Sequence, residues 1–233
     1  MNDKIAGFVL QTSDYKDNDI LAQVLTKPYG IISFVIKAGK KMNSKNHILP
    51  MCVYEFIFDY KDNKTIFSVH NQKLLNNYFQ DKDIEMISFK DVLVELTLKN
   101  RDIDTYDELV FIFDHLNKQN KYLLGSLYLS FLMKEFGISP MVDGCVLCDN
   151  KKVVSISNEH GGFLCINHLQ GHEIMPLERL KKFRMIVKAN IDNYDVLKDI
   201  EFDNVDFENL LNFYMINADS RIKSYDLYKA LNI

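Results

Sequence analysis

At 233 residues, with 47% apolar and 26% charged residues, the chain is long enough for two small hydrophobic cores, and its composition is that of an ordinary folded protein. No stretch reaches the ~18 uninterrupted apolar residues of a membrane span, and the apolar run at 5–10 is too short for a secretory signal, so the chain is expected to stay in the cytoplasm. The net charge of −4 hides an asymmetry: residues 1–80 carry ten lysines against seven acids, a net of +3, whereas 81–233 carry 18 Lys and Arg against 25 acids, a net of −7.

The first third reads as short strands separated by turn residues. The Ile, Val, Phe and Thr content predicts strands at Lys4–Leu10, Ile20–Thr26, Ile31–Lys37, Pro50–Tyr60 and Thr65–His70. The polar stretch 14–19, Pro28-Tyr29-Gly30 and Lys61-Asp62-Asn63-Lys64 read as the turns. Ile32, Phe34 and Ile36 alternate onto one face, which marks them as core, while Ser33 and Lys37 face the other way. Five short strands at hairpin spacing predict a small barrel of the OB type. Asp81-Lys82-Asp83 marks a joint near residue 80. Beyond it the apolar period becomes helical, with one helix around Ile87–Leu98, a second around Leu109–Leu116 and a third at Tyr122–Phe136. The third is apolar on nearly all faces, as the central helix of a bundle should be. Gly137 and Pro140 end it. Helices are also expected at Leu177–Ala189, 205–218 and 222–231. The fold class is therefore α+β: an N-terminal five-stranded OB-fold domain at 1–80, then a helical domain at 81–233 with a zinc-ribbon-like insert at 145–168.

The insert carries the sharpest local signal, Cys145-x2-Cys148-x16-Cys165-x2-His168. Two ligands from each of two close pairs suit a tetrahedral zinc, and Gly161-Gly162 would turn the chain back between them. His160 and His172 are close enough in sequence to compete for the fourth position. A two-Cys, two-His finger is disfavoured, because 19 residues separate Cys148 from His168 against the ~12 of that motif. A deaminase zinc site would need a His-x-Glu upstream and a Pro before the first Cys; neither is present, and Gly144 occupies the Pro position. Four protein ligands leave no open position, so the zinc is expected to be structural. The alternative is buried thiols without metal. Cys52, within an apolar strand, reads as a small buried hydrophobe. His70 and His115 have no partner visible in sequence.

Two basic concentrations stand out. Lys37, Lys40, Lys41 and Lys45 follow the third strand with no intervening acid and could track phosphates beside the barrel face; the plain alternative is a solvated loop. Tyr29 could stack on bases. Arg179, Lys181, Lys182, Arg184 and Lys188 share one helix whose apolar side is Leu180, Phe183, Ile186 and Val187. They could dock an acidic partner or form a solvated face.

Taken in order, these segments resemble the RecO family. The residues that carry the resemblance are Gly7-Phe-Val-Leu followed by Tyr15 and an acidic turn, Leu25-Thr26 with Tyr29-Gly30, and Lys37-Ala-Gly-Lys-Lys41 with Ser44-Lys45. Further on they are Gly137-Ile-Ser-Pro140 leading to Cys145-x-x-Cys148, Gly161-Gly162-x-x-Cys165, and Ile222-Lys-Ser224. The likeness runs collinearly from about residue 4 to 230. It implies a bacterial, nucleoid-associated recombination mediator that binds single- and double-stranded DNA and anneals complementary strands. It also implies that RecR and the acidic tail of the single-strand-binding protein are partners, and that the protein helps load the RecA recombinase. The competing expectation is a zinc-ribbon adaptor that binds protein alone. A zinc hydrolase or deaminase is a third.

Overall fold

The structure is a computed structural model and describes residues 3–40, 46–62, 64–80 and 82–231. Five strands, β1 (Asp3–Tyr15), β2 (Asp19–Thr26), β3 (Gly30–Ile36), β4 (Cys52–Phe58) and β5 (Ile66–Asn77), close into a barrel in the order β1-β2-β3-β5-β4. Every pairing is antiparallel except β3 with β5, where Phe34 stands opposite Phe67. This is the five-stranded OB arrangement.

Side-chain alternation places one face of each strand inside the barrel. Val9, Ala22, Val24, Phe34, Ile36, Cys52, Phe56 and Phe58 are buried there. Phe34 forms the centre, with ring centroids 4.7 Å from Phe56 and 4.9 Å from Phe58. Cys52 is fully buried and meets Asn77 Oδ1 at 3.2 Å. Burial is the leading influence on its thiol and pushes it up.

Two strands run further than the sequence pattern predicts. β1 continues to Tyr15, and only 16–18 form the turn to β2, with Lys16 in the left-handed region at φ 51°. β5 continues seven residues past His70. Both extensions are held by backbone pairing, Thr12 with Ala22 and Lys73 with Glu55 among others, while most of their side chains face solvent. Solvent on both faces removes the apolar alternation on which a strand prediction depends.

The helices are α1 (Ile84–Lys99), α2 (Tyr106–His115), α3 (Lys121–Glu135), α4 (Leu177–Lys188), α5 (Tyr194–Leu197), α6 (Asn204–Asn217) and α7 (Lys223–Leu231). Among the described residues, no helix is long and apolar enough to cross a membrane. By packing, the chain divides into two compact units, Met1–Phe113 with Lys223–Ile233, and Asp114–Ile222. A division near residue 80 separates strands from helices; the packing puts α1, α2 and α7 with the barrel. Phe113 of α2 covers the outward-facing Phe8 of β1, edge to face at 4.8 Å. α7 lies along α1, where Phe89 meets Tyr228 at 5.5 Å. Glu95 of α1 accepts from the backbone amides of Lys223 (3.1 Å) and Ser224 (2.7 Å) and from Ser224 Oγ (2.6 Å), satisfying the open start of α7.

The second unit is built on α3, which packs against α4 and α6 and buries Leu123, Leu124, Leu127, Tyr128, Leu129 and Leu132. Ser130 Oγ and Lys134 Nζ both donate to carbonyls at the C-terminal end of α4. A two-stranded hairpin, β6 (Val153–Ser157) and β7 (Gly162–Cys165), belongs to the same unit.

Candidate functional site

The hairpin and the chain leading into it bring Cys145, Cys148, Cys165 and His168 together, with all four ligand atoms within 4.8 Å of one another. Two features of the local sequence make the convergence possible. Cys145 donates its amide to Asn150 O at 2.8 Å, and Cys148 and Asp149 both donate back to Cys145 O, folding 145–150 into a tight knuckle. At the far end Gly161 takes φ +77°, and a Cβ on Gly162 would lie 2.3 Å from Met141 O, so only glycine lets β7 start against the backbone of Met141. A short 3-10 turn, Ile166–His168, then swings His168 back beside Cys165.

The distances suit a metal. Cys148 Sγ lies 3.7 Å from Cys165 Sγ, and His168 Nδ1 lies 3.5 Å from Cys145 Sγ and 3.4 Å from Cys165 Sγ. A tetrahedral zinc with bonds of ~2.3 Å to sulfur and ~2.0–2.1 Å to nitrogen requires edges of about 3.8 Å and about 3.5 Å. Burial would raise the Cys145 thiol, but backbone hydrogen bonds from Cys165 and Leu147, aided by the Cys165 and His168 side chains, lower it to about 6. Thiolate is the form that binds metal, and these hydrogen bonds favour it. Cys148 is exposed and the other two thiols are buried. His160, the rival for the fourth place, is engaged with Ser157 Oγ at 2.9 Å, and its ring stands 6.3 Å from that of His172.

The lysine loop is only partly described: Lys41 and Lys45 lie outside the described residues. Lys37 is exposed just beyond β3. Lys40 is fastened to the β1–β2 turn, donating to Lys16 O at 2.9 Å and pairing with Asp14 at 3.2 Å. Ala38 N donates to Asp19 Oδ1 at 3.0 Å and Asn46 Nδ2 to Lys37 O at 2.9 Å, so both ends of the loop are tied to nearby residues. Phe34 is core, as its alternation predicts. Tyr29 stacks on Tyr60 with centroids 4.2 Å apart.

The five basic residues of α4 divide into two roles. Arg179 grips Asp203 through both guanidinium nitrogens at 2.7 Å and reaches Asp206 at 2.7 Å, and Lys182 reaches Asp206 at 3.2 Å. Arg184 and Lys188 both pair with Asp143. Lys181 remains exposed and is in no ion pair among the described residues. It stands on the rim of a cavity of about 350 Å³. Val153, Phe163, Leu177 and Leu180 give this cavity an apolar lining, and Lys151, Lys152, Lys181 and Arg184 surround it with positive charge. Leu177 is 64% exposed, a large apolar side chain held open to solvent.

Residues 1–78, the part that forms the barrel, match the family model described as "Recombination protein O N terminal". The similarity continues into the second unit. The DNA repair protein RecO of an Exiguobacterium species is 22% identical over 198 residues, covering 82% of this chain and 80% of that protein. Those of Exiguobacterium sibiricum and Enterococcus faecalis are 26% and 24% identical, covering 74% and 70% of this chain and 73% and 65% of theirs. The chain is similar to RecO proteins along most of its length. Sequence reasoning missed the lysine pair Lys151-Lys152 and the apolar contribution of Phe163. Nothing local distinguishes two lysines after a knuckle from any solvated pair. Their role in the cavity appears only when the insert folds back onto α4.

Proposed function

We propose that this protein is a non-enzymatic recombination mediator in DNA repair. In this reading it binds single- and double-stranded DNA, anneals complementary strands, and acts with RecR and the single-strand-binding protein to help load RecA. The observation that carries the reading is the coincidence of the RecO N-terminal match with a closed five-stranded OB barrel, in the third of the sequence that holds the net positive charge. Such a barrel offers a groove that follows the nucleic-acid backbone. Lys37, Lys40, Lys41 and Lys45 would contact phosphates beside it, contributing affinity without base readout.

Zinc held by Cys145, Cys148, Cys165 and His168 would be structural, tying the two ends of the insert. The cavity beside α4 would take the acidic tail of the single-strand-binding protein. Its charged rim would steer the tail and its apolar floor would anchor an apolar end. Arg179, Lys182 and Lys188 support the site indirectly, since their charges hold α4 against Asp203, Asp206 and Asp143; Lys181 and Arg184 line it directly.

The test is single-strand binding measured at several salt concentrations. Log affinity should fall against log salt by about 0.7 for each phosphate contacted. Replacing Lys40, Lys41 and Lys45 together by Ala should flatten the slope by about two units. An unchanged slope would move the DNA to another surface. No salt-sensitive binding at all would leave the adaptor reading, which rests on the α4 cavity alone.

A further inference from the structure

We infer that the metal centre is a switch for the α4 cavity: occupancy of the Cys145, Cys148, Cys165, His168 site assembles the acidic-peptide pocket, and its loss opens the pocket's rim. The inference rests on the docking reading above and adds its control.

The cavity has two walls of different origin. Leu177, Leu180, Lys181 and Arg184 come from α4, a regular helix packed on α3 and α6. Lys151, Lys152, Val153 and Phe163 come from the insert. Each of these four is close in sequence to a ligand: Lys151 and Lys152 follow Cys148 by three and four residues, Phe163 precedes Cys165 by two, and Val153 pairs with Cys165 across the hairpin.

β6 is tied to the segment after the hairpin, Ser155 Oγ donating to Glu173 O at 2.7 Å and Met175 N to Val154 O at 2.8 Å, but the knuckle before it has little else to hold it. The buried apolar group around the metal ligands consists of Cys145, Leu164 and Cys165, with Val146 against it. Two of its three buried members are the ligands themselves. A lone two-stranded hairpin is marginally stable in water, and a metal tie supplies what so small a core cannot.

The two sides of the insert are anchored unequally. β7 is fixed to the rest of the unit by Phe163, whose ring stands 5.9 Å from that of Phe183, and by the backbone pairing of Met141 with Gly162 and Phe163. The knuckle 145–150 reaches β7 through Val146 N donating to Phe163 O and through the thiols. Without metal, the knuckle and the Lys151-Lys152 pair behind it lose their principal tie, while β7 and α4 keep theirs. The pocket would then retain part of its floor and lose two of the three rim cations that have no ion-pair partner among the described residues. A rim that steers and orients an anion is lost by displacement as effectively as by mutation.

The experiment uses the full chain and a fluorescein-labelled tetra-aspartyl peptide ending in Phe. Binding is followed by fluorescence anisotropy before and after removal of metal with a chelator, with zinc content measured in each sample. Metal-loaded protein should bind, chelated protein should bind at least about tenfold more weakly, and added zinc or cobalt(II) should restore binding, with cobalt showing thiolate charge-transfer bands. Lys181→Glu should weaken peptide binding while keeping full zinc content. Amide exchange on the chelated protein should show 145–153 deprotected while α4 stays protected. If metal-loaded protein fails to bind the peptide, the docking reading falls and this inference with it. If loaded and chelated protein bind within about twofold of each other, the docking reading stands and the switch falls. If α4 loses protection together with the knuckle, the metal supports the whole unit and the local switch is overturned.

Discussion

At the residue scale, a cation's partner decides its function better than its charge does. Arg179 and Lys181 are two positions apart on α4, yet one is locked to Asp203 and Asp206 and the other faces the cavity. The lock is measurable through pH. The hydrogen bonds from Arg179, together with the backbone amides of Asp206 and Val205, hold the Asp203 carboxyl down to about 2 against the cost of its partial burial. A carboxyl depressed on folding contributes stability that is fully present above its unfolded value of ~3.9 and is lost as pH falls toward its folded value. Asp203→Asn keeps an N-cap for α6, since Asn caps as well as Asp, but loses the charge. The stability difference between wild type and this variant should therefore be constant above about pH 5 and should shrink between about pH 4 and 2. Thermal unfolding of both proteins across that range checks it; a difference that stays constant down to pH 2 would mean that the ion pair contributes nothing.

At the element scale, α7 is short, and its first turn depends on a carboxylate from another helix. Glu95 of α1 accepts three hydrogen bonds from Lys223 and Ser224. Burial pushes its carboxyl up, and the Ser224 and Lys223 donors outweigh that, so the net direction is down. Glu95→Ala leaves those donors without the acceptor that caps the helix, and should cost about 1–2 kcal/mol, the range for a lost N-cap or charge-assisted hydrogen bond. Amide exchange in α7 should accelerate before exchange in the barrel strands does. An unaltered α7 would show that the packing of Phe89 on Tyr228 suffices to hold it.

For the whole molecule, the first unit is discontinuous in sequence: its last element, α7, follows the entire second unit. Removing residues 223–233 should therefore destabilise α1, 124 residues upstream of α7, and leave zinc binding and α4 intact. Limited proteolysis checks this, with new cleavage expected in 84–113 and none in 177–217. Cleavage confined to the second unit would contradict the packing described here.

Much of this was legible in the sequence. The five strands, the helices at α1 to α4, α6 and α7, the burial of Phe34 and Cys52, and the four residues of the candidate metal centre are all local patterns. A period of two, a period of 3.6 and a pair of close cysteines are imposed by nearest neighbours on the chain, so they can be read without a fold. The polar extensions of β1 and β5 could not be read, because backbone pairing holds them and solvent leaves their side chains unconstrained. Nor could the grouping of α7 with the barrel, the division of α4 between internal ion pairs and Lys181, or the meeting of Lys151, Lys152 and Phe163 with Leu177 and Leu180. Each of these depends on which distant segments come together when the chain folds, and charge and hydrophobicity along the sequence carry no record of the direction from which a partner arrives.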